Sequence, residues 1–367
     1  MAVSALIHCS THQKQIGLTM KNLLLLLVGV GVTVGSFYWS MQDVKLEDFV
    51  DGFKTANYLT LPFILLLLFV FYWLKVIRWS WMLKPIQELS TKQLFPPVMV
   101  GFAANNLLPA HLGEFVRVFL VGRRHQLPIS TVLSTVVLER VFDVMAILGL
   151  FAVSLQFVDN LPPRFNQGAI LLAGLSGIFV LCAAAFLIWT DACIRLFAVT
   201  LRFVRFVPEG IQEKLVSMVQ SAGEGLNALR SFRTIIAIAL NSLIQWILNG
   251  LIAWLALRAF HIPVALTDGL IITAVLAIAV MIPSTPGYFG LIQGAFKISI
   301  LALGLQIAGS RVFAASMYYH MSMYIPVTLS GLYFLNREGL SLRDLRRVSE
   351  ADEQPADGEA VRTPLSE

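Results

Sequence analysis

The sequence predicts an all-α polytopic membrane protein with six spanning helices and two re-entrant broken hairpins in an inverted repeat. Charged residues make up only 13% of its 367 residues, against 57% hydrophobic ones. Several apolar runs are long enough to cross a bilayer core of ~30 Å. Two further apolar stretches are interrupted by Pro and Gly.

The predicted spans follow the uninterrupted apolar runs. They cover about residues 23–42, 59–74, 129–157, 168–190, 234–257 and 312–335. The first run could act as a secretory signal, but it continues through Trp39 without a clear small-x-small cleavage site. We therefore expect an uncleaved signal-anchor.

Loop charges orient these spans, because Lys and Arg are enriched in cytoplasmic loops. The acidic segment 43–58 is expected outside. The end of the second span and the end of stretch 94–122 are expected inside, on the basis of Lys75, Arg78, Lys84, Lys92, Arg117, Arg123 and Arg124. Stretch 94–122 thus enters and leaves on the cytoplasmic face. By the same reasoning, stretch 269–304 begins and ends outside, and both termini lie inside.

The order of elements repeats with inverted orientation: two spans, a hairpin and a span, then the same again. This organisation is typical of secondary transporters. A short echo supports it, since PAHLGEF (109–115) and PSTPGYF (283–289) share P-x-x-x-G-x-F at the two expected tips. Pro ends a helix and Gly permits a tight turn. The following helix would then direct its positive N-terminal dipole inward, which suits an anionic group.

Charged residues cluster around the first hairpin and the third span. Glu114 and Arg117 are three residues apart and can pair on one helical face. Thr131, Thr135, Glu139 and Asp143 form a stripe at four-residue spacing, with Arg140 beside it. These charges could form a structural ion-pair network, or an Arg could be shared with a ligand phosphate while carboxylates hold it or relay a proton. Both can hold at once.

Other polar residues are candidates for contact with a substrate. Asn241, Gln245 and Asn249 form an uncharged stripe in the fifth span, for which interhelical hydrogen bonding is the simpler explanation. A packing role is also the simpler explanation for His320, which aligns with Tyr324. The remaining candidates lie at the two tips: Asn105, Asn106, His111 and Gly113 in the first, and Pro283, Pro286, Gly287, Tyr288, Gly290 and Gln293 in the second.

Several function classes lack their motifs. No phosphate-binding loop of the G-x-x-x-x-G-K-[ST] type and no H-E-x-x-H metal motif occurs, and Cys9, Cys182 and Cys193 have no ligand spacing. We expect no cofactor, no metal and no nucleic-acid partner. An ion gradient, the membrane potential or downhill movement would drive transport.

The predicted organisation is a cytoplasmic N-terminus (1–22), a first transmembrane repeat (23–157), a second repeat (168–335) and a cytoplasmic tail (336–367). The second repeat includes a cytoplasmic segment, 191–233. From residue 349 onward the tail carries six acidic residues and one Arg, so we expect it to be disordered.

The run NNLLPAHLGEFVRVFLVGRRHQLPISTVLSTVVLERVFDV and the later IPSTPGYFGLIQGAF resemble the flippase-like family that shares the transmembrane domain of lysylphosphatidylglycerol synthases. The resemblance covers roughly residues 20–335. The matching positions are Gly113, Glu114, Arg117, Glu139, Arg140, Asp143, Pro283, Pro286, Gly287 and Gly290. Many relatives have Arg in place of His111 and Glu in place of Gln293.

The resemblance implies lipid translocation, because in bifunctional members this domain is associated with moving an aminoacylated phospholipid to the outer leaflet. We expect this chain to be a stand-alone member without the soluble synthase domain. The expected function is a flippase of the cytoplasmic membrane that moves an anionic or aminoacylated phospholipid, or another lipid-linked head group. The alternatives are an intramembrane glycosyl- or phosphotransferase and a non-transporting partner of a lipid-synthesis enzyme. The sequence leaves the lipid, the direction of movement and the oligomeric state open.

Overall fold

The computed structural model describes residues 20–108, 112–157, 189–203, 231–282 and 284–338, with isolated positions between 167 and 219. These residues form eleven α-helices and one short 3-10 turn, and no strand occurs among them. The predicted all-α class is therefore confirmed. His111 and Pro283 lie outside the described residues, as does most of the fourth predicted span, 168–190.

The helices are numbered in chain order. Their bounds are α1 Met20–Met41, α2 Leu46–Thr55, α3 Thr60–Leu83, α4 Thr91–Leu107, α5 Gly113–His125, α6 Ile129–Leu155, α7 Thr190–Phe203, α8 Phe232–Ala259, α9 Leu266–Val280, α10 Leu291–Ala302 and α11 Gly309–Arg337. The 3-10 turn is Pro286–Tyr288. Of these helices, α3 and α8 are long and apolar enough to cross a membrane by length and composition.

Helix α3 is longer than the sequence predicts. We expected the second span to end near residue 74, but the helix continues to Leu83. Lys75 and Arg78 are buried within it rather than exposed at its end. Their burial follows from pairing with carboxylates of α6. The expectation that Lys75 and Arg78 are loop charges is therefore wrong.

Each of the two Pro- and Gly-interrupted stretches forms two helices with a break between them. Helix α4 ends at Leu107 and α5 begins at Gly113. In the second stretch, Gly287, Tyr288 and Gly290 all have positive φ. Gly290 is required where it stands, because a Cβ there would lie 2.5 Å from the carbonyl oxygen of Thr33 in α1.

The helix contacts of the two stretches correspond. Helix α4 packs on α5 and on α11, while α9 packs on α10 and on α6. Helices α3 and α8 pack against each other. The 3-10 turn contacts α4, so the break in the second stretch lies against the first stretch. Large apolar side chains such as Phe63, Leu66 and Leu240 are exposed on the outer faces.

The contact between α4 and α11 is nearly backbone to backbone at Gly331. A Cβ at this position would clash with the Cβ of Ala103 and the carbonyl oxygen of Met99, and would lie 3.1 Å from the Met99 carbonyl carbon. Small residues permit such close approach between helices in membranes.

We predict that Gly331→Ala forces these helices apart and destabilises the protein by about 1–3 kcal/mol, the usual cost of overpacking. The melting temperature of the purified protein in detergent measures this. Gly35→Ala in α1 is the matched control, since a Cβ there meets nothing within 4 Å. It should leave the melting temperature unchanged or raise it, because Ala favours helix over Gly. An equal effect of both variants would show that the close α4–α11 contact is unimportant.

Candidate functional site

A buried cluster of charged side chains joins helices α3, α5 and α6. Its five most buried members are Lys75 and Arg78 of α3, Arg117 of α5, and Glu139 and Asp143 of α6. Each is at most 6% exposed. Spacings of three or four residues bring the members from α3 to one face of that helix, and likewise those from α6.

Glu139 and Asp143 are shared by several cations. Asp143 Oδ1 lies 2.6 Å from Arg78 Nη1, and its Oδ2 accepts a second bond from Arg78 Nη2 at 3.2 Å. Lys75 Nζ lies 3.3 Å from Glu139 Oε1 and 3.6 Å from Asp143 Oδ2. The other Glu139 oxygen accepts from Arg117 Nη1 at 3.0 Å. These contacts offset the large cost of removing charges from water.

Glu114 and Arg140 form the accessible edge of the cluster. Arg117 Nη2 donates to Glu114 Oε2 at 2.6 Å, which confirms the pairing expected from their spacing. The second Glu114 oxygen accepts from Arg140 Nη2. The Arg140 side chain is 45% exposed and that of Glu114 is 17% exposed. Arg140 is thus a charge of the cluster that solvent or a ligand can reach.

Aromatic and hydroxyl groups of α8 and α3 contact the cluster and hold its side chains in position. Ser242 Oγ of α8 accepts from Arg78 Nη1 at 2.5 Å, and Trp246 Nε1 donates to Asp143 at 3.3 Å. The guanidinium of Arg117 lies 5.0 Å from the ring centre of Trp79, a cation–π distance. Trp79 Nε1 donates to Thr135 Oγ1 at 2.9 Å. Three residues of the predicted stripe on α6 therefore face bonding partners on other helices: Thr135, Glu139 and Asp143.

Lys75 and Arg78 were missed as site residues. We assigned them to a cytoplasmic loop, because Lys and Arg near a span end are normally loop charges. Their spacing of three residues, followed by the apolar and aromatic run 79–83, was the signal that could have placed them inside a helix. Acidic residues within another span usually pair with basic residues of this kind.

The polar stripe on α8 is buried, and the hydrogen bond within it joins two residues of the same helix rather than two helices. Gln245 donates a hydrogen bond to Asn241, which lies on the same helix. Gln245 Oε1 and Asn249 Oδ1 are buried without a hydrogen-bond partner within the described structure. Ser242, on the same helix, reaches the ion cluster, although the sequence did not single it out.

The Asn pair of the first tip holds the break together. Asn105 Oδ1 accepts from the Gly113 N–H at 2.8 Å and so satisfies one of the free donors at the start of α5. Asn106 Nδ2 donates to Thr328 Oγ1 of α11 at 2.9 Å. Both amides are therefore used in positioning helices.

Gln293 has the same role at the second tip. Its Oε1 accepts from the Gly290 N–H at 2.7 Å at the start of α10, and its Nε2 lies 3.2 Å from His320 Nδ1. The His320 ring lies 4.7 Å from that of Phe289, so His320 packs as expected. Lys297, one turn further along α10, donates to Asp43 at 2.7 Å.

The turn of the second tip packs on the first broken stretch. Pro286, Gly287 and Tyr288 form the turn that contacts α4. Tyr288 lies within electrostatic range of both Glu114 and Arg140. The structure therefore brings together Glu114, Arg117, Glu139, Arg140, Asp143 and Tyr288, whereas Gln293 and His320 form a separate contact in the second stretch. No group of three His, Cys, Asp or Glu residues suited to a metal occurs within the described part of the chain.

Comparisons with known proteins agree with this architecture. Residues 26–331 match the family model described as "Lysylphosphatidylglycerol synthase TM region". A UPF0104 membrane protein of Methanothermobacter thermautotrophicus is 24% identical over 75% of this chain and 83% of its own length. Another UPF0104 membrane protein, from Methanocaldococcus jannaschii, is 25% identical over 62% of this chain and 90% of its own length.

The family match spans most of the chain, including both broken stretches and every described member of the ion cluster. The protein is therefore a membrane protein of the lysylphosphatidylglycerol synthase TM region family.

Proposed function

We propose that this protein is a flippase that moves a lipid head group between the leaflets of the cytoplasmic membrane. The observation that carries the proposal is the buried ion cluster with one accessible edge, Glu114 and Arg140, at the point where two broken helix pairs meet. Ionisable groups at membrane depth are costly and usually mark a transport pathway.

The proposed architecture has six spanning helices and two re-entrant hairpins, α4/α5 and α9/α10. Helices α4 and α5 have 17 and 13 residues. Their lengths of ~26 and ~20 Å fall short of the ~30 Å hydrocarbon core. Helices α9 and α10 are shorter than α4, at 15 and 12 residues. Each helix pair is therefore suited to enter and leave the membrane on the same face.

The corresponding contacts of the two halves support an inverted repeat. In the proposed arrangement α4 of the first half matches α9 of the second, and α6 matches α11. The α4–α11 and α9–α6 contacts are then equivalent, and the α3–α8 contact joins two equivalent spans. The exposed Lys84 and Lys92 still favour a cytoplasmic position for the α3–α4 loop.

In the proposed mechanism, the head group enters the polar region between the hairpins while the lipid tails remain in the bilayer. A head-group phosphate then competes with Glu114 for the guanidinium of Arg140. Glu139 and Asp143 hold the other cations in place. The phosphate need not lose its polar partners in hydrocarbon, which removes most of the barrier to crossing.

Two other functions remain as rivals. A membrane glycosyl- or phosphotransferase would use a carboxylate such as Asp143, but the accessible carboxylate is Glu114. A non-transporting partner would hold a lipid-synthesis enzyme at the membrane. Turnover of a lipid-linked donor by the purified protein would favour the first rival. A mutant phenotype without redistribution of any lipid would favour the second.

The topology can be tested by labelling introduced cysteines in a variant with Cys9, Cys182 and Cys193 replaced by Ser. In right-side-out vesicles, an impermeant thiol reagent should reach Ala265→Cys and Gln306→Cys, which flank α9/α10. It should reach Lys92→Cys and Ser130→Cys, which flank α4/α5, only after the vesicles are opened. All four positions are exposed. Labelling of the two ends of one pair from opposite sides would rule out that hairpin.

Transport is tested by reconstituting the purified protein in liposomes with a panel of labelled lipids and measuring exchange between leaflets. We predict that wild type exchanges at least one lipid and that Asp143→Asn abolishes the exchange, since the Asn cannot balance Arg78 and Lys75. Glu88→Gln is the control, because the Glu88–Lys84 pair is on the surface, with side chains 76% and 68% exposed. No exchange of any lipid by folded wild type would reject the flippase.

A third experiment separates the structural role of the cluster from its role in transport. Arg78→Met leaves carboxylates buried without their main partner and should cost about 3–5 kcal/mol of stability. Arg140→Met affects a half-exposed pair and should cost about 1 kcal/mol or less, yet stop lipid exchange. Melting temperatures and exchange rates of both variants check this. A comparable loss of stability in Arg140→Met would indicate that the whole network is structural.

A further inference from the structure

The ion cluster contains more cations than carboxylates. Among the described residues, its cations are Lys75, Arg78, Arg117 and Arg140, and its carboxylates are Glu114, Glu139 and Asp143. With all seven side chains ionised, the cluster has a formal net charge of +1. The surplus is at the accessible edge, because Arg140 is its most exposed member.

The hydrogen-bond donors of the cluster show the same imbalance. Each carboxylate already forms ion pairs with at least two cations. The Nε groups of Arg78 and Arg117 are buried and have no acceptor within the described structure. Buried donors normally have acceptors, so the cluster as it stands is short of acceptor atoms.

No carboxylate remains for a cationic head group. Among the described residues, Glu139 and Asp143 are the only buried carboxylates, and both are bonded to Arg and Lys side chains. The polar groups buried on α8 and at the second tip are neutral: Asn241, Gln245, Asn249, Gln293 and His320 with its ring packed on Phe289. An ammonium group would meet the unpaired oxygens of Gln245 and Asn249, but no unshared anion that balances its charge.

From the charge and the hydrogen bonding of the cluster together, we infer that this site binds an anionic phosphate ester head group. Such a head group has no amine that balances the phosphate charge. This inference rests on the proposed flippase function and narrows its substrate class. The phosphate oxygens add acceptors at the accessible edge of a cluster that is short of them, and Arg140 is the residue that selects for negative charge. An aminoacylated phospholipid is excluded by its extra ammonium groups.

The test compares three lipids with identical chains and an acyl-chain label, so that the head groups stay intact. Phosphatidylglycerol is anionic, phosphatidylethanolamine carries a balancing amine, and lysylphosphatidylglycerol carries a net positive charge. In proteoliposomes, wild type should exchange phosphatidylglycerol at least about tenfold faster than the other two, the effect of one favourable charge contact. Arg140→Gln should lower the rate of phosphatidylglycerol exchange at least to that of the other two lipids. Arg124→Gln, in the exposed Arg124–Glu338 pair, should keep it.

Two further arms make the outcomes distinct. The melting temperature of detergent-solubilised protein should rise with short-chain phosphatidylglycerol and not with short-chain phosphatidylethanolamine. A rise with inorganic phosphate alone, without lipid exchange, would mean that free phosphate is the ligand. That result would overturn the inference. Equal or faster exchange of lysylphosphatidylglycerol would overturn the inference while leaving the flippase function intact. Failure to exchange all three lipids would overturn both.

Discussion

The sharing of Glu139 among Lys75, Arg78 and Arg117 is the interaction on which the rest of the polar interior depends. One fully buried carboxylate on α6 contacts cations from α3 and α5, and so fixes three helices relative to one another. Without it, three positive charges would face each other in a low-dielectric interior, where their repulsion is strong. The neighbouring Asp143 extends the network to α8 through Trp246.

The sequence predicted those parts of the site that follow helical periodicity within one segment. The stripe of Thr135, Glu139 and Asp143 and the Glu114–Arg117 pair are of this kind. The stripe is buried on one face of α6, and the Glu114–Arg117 pair forms as expected. The helix breaks were also predictable, because Pro and Gly constrain the local backbone.

The parts that were missed depend on contacts between distant segments. Lys75 and Arg78 are buried only because α3 packs beside α6, and loop-charge statistics favoured a surface position. Likewise, Asn105 and Gln293 suit a head group by chemistry, but their oxygens accept from the backbone N–H groups of Gly113 and Gly290. Periodicity carries no information about which donor such a side-chain oxygen will find.

The close approach of α4 and α11 at Gly331 has a consequence for motion. Because the two backbones are almost in contact there, sliding of one helix along the other would force atoms to overlap. Helices α4 and α11 are therefore expected to move together as one rigid unit, although they belong to different halves of the chain. Any rearrangement that alternately exposes the cluster to either side would have to occur elsewhere, where packing is looser.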